Sequence, residues 1–138
     1  HHEQAVDMAE LAETRAADPE VKELAATIKS TQAAEISLMR RWLNAWGRPE
    51  PSDHDGYAGH RMPGMLSDRQ MAELEAASGA RFDRLFAELM IAHHKGAIEM
   101  ARTEQREGAN PDAVKLAKDI ESGQQAEIEQ MERLLKRL

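Results

Sequence analysis

"HHKGAIEMARTEQREGANPDAVKLAKDIESGQQAEIEQMERLL", residues 93–135, lies over "HHEQAVDMAELAETRAADPEVKELAATIKSTQAAEISLMRRWL", residues 1–43, at a constant offset of 92 and without a gap. Of these 43 positions 18 are identical, among them both His pairs, Met8/Met100, Pro19/Pro111, Ile28/Ile120, Gln32/Gln124, Glu35/Glu127 and Met39/Met131. A tag remnant could account for His1 and His2 alone, but not for the matching residues that follow. The chain contains one unit twice, and the fold must be built from two copies of it.

Each copy reads as a helical hairpin. "ADPE" (17–20) and "ANPD" (109–112) place an Asp or Asn cap before a Pro at the first helical position and an acid in the first turn. Gly108 suits the end of the preceding helix. Apolar residues such as Val21, Leu24, Ile28, Ile36, Met39 and Leu43 recur at helical spacing. Long helices are predicted over 1–16, 19–46, 79–108 and 111–137. Two such hairpins stacked face to face make a four-helix bundle. Between them "GRPEPSDHDGYAGHRMPGML" (47–66) is too rich in Gly, Pro and Asp for a continuous helix, and "SDRQMAELEAA" reads as a short helix capped by Ser67. The expected organisation is one domain, 1–138, with repeat one at 1–46, linker and short helix at 47–78, and repeat two at 79–138.

Composition agrees. Aromatic residues make up 4% of the 138 residues, while unbranched helix formers are common. The net charge of −7 is spread without a basic arm, so nucleic acid is not an expected partner. There is no cysteine, which removes disulfides, thiolate nucleophiles and cysteine metal sites. No apolar run reaches the roughly 20 residues of a membrane span. Ser and Thr residues fall at caps and surface positions, so nucleophilic catalysis has no candidate.

The histidines carry the functional reading. In an antiparallel hairpin, residues equally far from the turn lie at one height. His93 then faces the level of Glu127, and His1 that of Glu35. Both glutamates lie on apolar rows, with Ile120 and Leu134 in one and Ile28 and Trp42 in the other. A carboxylate on such a row is costly unless it meets a cation, a metal or hydrogen-bond donors, and a histidine across the hairpin supplies one of these. Adjacent histidines point about 100° apart, so His93 and His94, like His1 and His2, face different neighbours. Met90, Met100 and Met8 lie on nearby helical positions, and "GHRMPGM" gathers His60, Met62 and Met65 in an irregular loop with His54 six residues earlier. Imidazole and thioether together suit copper, with thioether favouring the cuprous ion. For the helical methionines, core packing is the commoner role.

"HRMPGMLSDRQMAELEAASGARFDRLFAELMIAHHKGAIEMA", followed by "AEIEQM", resembles the family known as domain of unknown function 305 over nearly the whole chain. The resemblance implies a ferritin-like four-helix bundle, an exported bacterial protein, and, as in some members, copper binding outside the cytoplasm. It implies His93, His94 and Met100, their first-copy equivalents His1, His2 and Met8, and loop residues Met62 and Met65 as the residues concerned. The second copy has "FDRLFAELMIA" before its histidines and the first has nothing there, so an equivalent upstream segment, and a signal before it, are expected beyond residue 1.

The expected function is therefore metal binding without turnover. The metal is copper, with silver or zinc as alternatives, held by His93, His94, His1, His2, Met62, Met65, His60, Met90, Met100 and Met8. Glu35 and Glu127 orient the imidazoles. The alternative is a metal-free structural or interaction module of the cell envelope, for which Trp42, Trp46 and Leu138 are a candidate homodimer patch. A di-iron oxidase ranks lower, because such sites use Glu-x-x-His pairs. Here Glu88 and Glu99 each lie five residues from the nearest His of the pair.

Overall fold

Pro19 and Pro111 fix where each hairpin turns back. In the computed structural model, which describes residues 1–50 and 62–138, five helices occur: α1 (His2–Arg15), α2 (Pro19–Ala45), α3 (Asp68–Ala76), α4 (Gly79–Glu107) and α5 (Pro111–Arg137). The caps form as the sequence predicts. Asp18 accepts from the Glu20 N–H at 2.9 Å, and Asn110 accepts from Asp112 and Ala113 at 2.9 and 3.2 Å. At α3, Ser67 and Gln70 make a reciprocal capping box. Gly108 does close α4, but at φ −68° rather than in the left-handed region. Its small size matters instead, because a Cβ there would collide with Glu104.

The chain is all-α among the described residues; β-type pairing there is limited to an isolated bridge between Ala16 and Gly79. α1 with α2, and α4 with α5, are the two hairpins. They meet chiefly through their first helices, α1 and α4, and α3 lies against both. α1 can sit deep because its inward face is small: Ala5, Ala9, Ala12 and Ala16 are all buried. The larger core side chains come from the other helices, with Leu24 and Ile28 on α2, Phe82, Phe86 and Met90 on α4, and Ile128, Met131 and Leu134 on α5. Phe82 and Phe86 stack one turn apart with ring centroids 5.7 Å apart. Trp42 stacks on Trp46, which is 48% exposed at the far end of α2. No helix among the described residues is long and apolar enough to cross a membrane.

One buried charge locks the hairpins in register. Asp83, 1% exposed on α4, accepts from the backbone N–H groups of Ala17 and Asp18 at 3.0 and 2.9 Å. These donors lie in the turn between α1 and α2, where no helix supplies acceptors. On the surface beside it, Arg137 pairs with Asp18 and Glu20, which holds the Asp18 carboxyl below its usual range.

Replacing Asp83 by Ala leaves both turn N–H groups without an acceptor. The expected loss is about 3 kcal/mol of unfolding free energy by urea denaturation, the sum of two charge-assisted bonds. A change below about 1 kcal/mol would show that water replaces the carboxylate without cost.

Candidate metal centre

The two histidine pairs come together where α1 crosses α4. His93 and His94 are both 0% exposed, and His1 and His2 are partly buried. The heights deduced from the hairpin turn hold, but rotation around the helix selects the second histidine of each pair for the glutamate. His2 Nε2 lies 2.9 Å from Glu35 Oε1, and His94 Nε2 lies 2.8 Å from Glu127 Oε1. His93 and His1, turned about 100° away, point at the other hairpin. Their rings lie face to face, with centroids 3.9 Å apart and planes tilted by 30°. The repeat therefore closes on itself, first histidine to first histidine.

Hydrogen bonding settles which nitrogens can serve as ligands. A carboxylate only accepts, so Nε2 of His2 and of His94 must donate. That leaves Nδ1 of His94 as the lone-pair nitrogen, buried and with no partner among the described residues. His1 Nε2 donates to the Pro63 carbonyl at 2.8 Å. At His93 neither ring nitrogen has a partner among the described residues. Burial, reinforced by His94 and His2, pushes the His93 pKa down to about 3. His93 is a neutral imidazole with a free lone pair across the physiological range.

The loop crosses this cluster. Its Met62–Met65 turn closes with a 3.3 Å backbone bond. Gly64 adopts φ +76°, which favours glycine, and it lies against Ala92 and Gly96 of α4. A Cβ on Gly96 would fall on the Pro63 carbonyl. From the other side, Gln4 clasps the backbone of Leu66, donating to its carbonyl at 3.1 Å and accepting from its N–H at 2.8 Å. Gln4 and Gly96 are equivalent positions of the repeat (4 + 92 = 96). One copy grips the loop and the other makes room for it.

Met62 and Met65 are half-buried in this loop, and Met100 is half-buried on α4. Met8 and Met90 are fully buried in the hydrophobic core. His60 and His54 lie outside the described residues. Among the described residues no three His, Asp or Glu side chains are grouped tightly enough to hold an ion by themselves. A site here would have to draw on imidazole with thioether. Sequence reading missed Gln4, Gly96 and Asp83. Asp83 carried a signal in "RFDRLF", a lone acid on an apolar helical row.

A family model for a domain of unknown function, DUF305, matches residues 1–135. The chain belongs to the DUF305 family. Among solved structures, a DUF305 protein of Streptomyces coelicolor described as secreted is 33% identical with a TM-score of 0.90, over 99% of this chain and 86% of that one. A DUF305 fragment from Deinococcus radiodurans is 35% identical with a TM-score of 0.86, over 100% of this chain and 89% of that one. CopM in its Cu(II)-bound form is 37% identical with a TM-score of 0.86, over 99% of this chain and 89% of that one. Cu(I)-bound and silver-bound forms of CopM are also similar to this DUF305 chain. No curated protein sequence matches it.

Because the His93 pKa is depressed, the unfolded chain takes up a proton near pH 6.5 while the folded chain resists until about 3. The stability this contributes is complete above pH 6.5 and is lost as pH falls towards 3. Metal-free protein should melt at progressively lower temperature from pH 7 to pH 4, and a His93→Gln variant should show a shallower fall. Parallel slopes for the two proteins would contradict the buried neutral ring.

Proposed function

We propose that this chain is an exported copper-binding protein that buffers, sequesters or delivers the ion without catalytic turnover, built as a single ferritin-like four-helix domain over residues 1–138. The observation that carries the reading is His93: a neutral, fully buried imidazole whose two nitrogens have no partner among the described residues. A buried polar ring left unpaired costs about 1–3 kcal/mol. A ligand that accepts its lone pair removes that cost, and a soft or borderline cation does so without bringing in a proton.

The residue set fits copper. His93, the Nδ1 of His94 and the Nδ1 of His1 provide imidazole nitrogens around one crossing. The Met62–Met65 loop lies over the same turn of α4 and adds thioethers, which favour the cuprous state. His2 completes the set from the first copy, and Met100, Met8, Met90 and His60 remain secondary candidates. Glu35 and Glu127 fix the tautomers of His2 and His94 and raise the basicity of the opposite nitrogen. The likeness to CopM, whose structures include Cu(I)-, Cu(II)- and silver-bound forms, supports this choice of ion. The secreted description of the Streptomyces coelicolor relative supports a place outside the cytoplasm.

Titration with copper(II), copper(I) under reductant, and silver should raise the melting temperature. A His93→Ala, His94→Ala double variant should lose that response. No response to any of these ions, nor to zinc, would sink the proposal and leave a metal-free scaffold. Glu127→Gln keeps the shape but not the obligatory acceptor, and should weaken binding by about tenfold or more. Equal affinity in that variant would show that Glu127 does not orient the ligand.

A further inference from the structure

Beyond the imidazoles, a second concentration of unpartnered polar atoms lies between α2 and α5. Gln32 and Gln124, equivalent in the repeat, are 2% and 4% exposed. Neither the amide oxygen nor the amide nitrogen of either one has a hydrogen-bond partner among the described residues. Both line a cavity of about 130 Å³, which Glu35, Glu127, Asp119 and Thr31 also line. The hairpins pack through α1 and α4, and this cavity lies where their second helices approach.

The lining selects the occupant. Three carboxylates face one space with no lysine or arginine among its walls, so the missing element is positive charge. The donors are carboxylate, amide and hydroxyl oxygens; the lining includes no sulfur and no imidazole. Oxygen-only surroundings suit hard divalent cations and disfavour cuprous copper or silver. The volume takes roughly four waters at about 30 Å³ each. Among the described residues no three carboxylates are close enough together to hold an ion by themselves, so water must supply most of the coordination of any ion here. We propose that this cavity holds one hard divalent cation of the Mg²⁺ or Mn²⁺ kind, largely hydrated, with the amide oxygens of Gln32 and Gln124 and the carboxylates of Glu35 and Glu127 as its protein contacts. The amide NH₂ groups then turn to bound water or to the glutamate Oε2 atoms that the imidazoles leave. No histidine lines the site, and it stands whether or not the imidazole cluster takes copper.

Mn²⁺ serves as the probe, followed by loss of the free-ion electron paramagnetic resonance signal and by melting temperature. The full chain should take up one Mn²⁺ at millimolar concentration or below and melt higher with Mn²⁺ or Mg²⁺. Gln32→Leu, Gln124→Leu protein should bind about tenfold more weakly or worse, having lost two oxygen contacts. If that variant does not fold, Gln32→Glu keeps an oxygen and adds a charge, and should bind Mn²⁺ more tightly. His93→Ala protein and silver-saturated protein should bind Mn²⁺ as the unmodified chain does. No Mn²⁺ uptake would mean that water alone fills the cavity and would overturn the proposal. So would unchanged binding in the leucine variant, no gain in Gln32→Glu, or loss of uptake in His93→Ala.

Discussion

Two imidazole–carboxylate hydrogen bonds, His2 to Glu35 and His94 to Glu127, are the constraint on which the centre of this molecule depends. Each spans a hairpin, so each fixes how one helix is rotated against its neighbour. Once His94 is turned towards α5, His93 has no direction left except towards the other hairpin, where it meets His1. The same bond decides chemistry as well as geometry, because it commits Nε2 to donating and leaves Nδ1 with the lone pair. Burial then keeps His93 neutral. Orientation by the carboxylates and desolvation by the fold are separate devices acting on adjacent residues.

Much of this was legible in the residues. The Asp-Pro-Glu and Asn-Pro-Asp turns gave the hairpins and their caps because capping is a local interaction, decided within four residues. Heights across a hairpin followed from helix rise alone, which is why Glu35 and Glu127 were assigned to the right level. Rotation was not legible to the same accuracy. Adjacent positions differ by about 100°, and choosing between His93 and His94 requires knowing where the partner helix lies. Gln4 and Gly96 were illegible for a different reason. Their roles depend on the path of a loop some sixty residues from Gln4, and no local pattern records such a contact. Gln32 and Gln124, one turn from Glu35 and Glu127, border open space.

The division of labour between helices explains this uneven packing. α1 presents a face of alanines, so α4 can approach it closely, and the bulk of the core is concentrated around that crossing. α2 and α5 complete their own hairpins but are held apart at Gln32 and Gln124. Asp83 and the Arg137 ion pairs with Asp18 and Glu20 fasten the two halves at one end. The His1–His93 contact and the loop fasten them at the other. Similarity over nearly the full length of the Streptomyces coelicolor and Deinococcus radiodurans structures, with TM-scores of 0.90 and 0.86, shows that the helical fold carrying these contacts is shared.

The pairing of Gln4 with Gly96 has a historical consequence. A duplicated segment begins as two interchangeable halves, and recombination can go on copying one over the other. Here such an exchange costs contacts in both directions. Glycine at position 4 would release Leu66, while glutamine at position 96 would meet the Pro63 carbonyl. A single strand laid across a twofold cradle can touch only one side in each way. The loop thus gives the two halves different tasks at this one position.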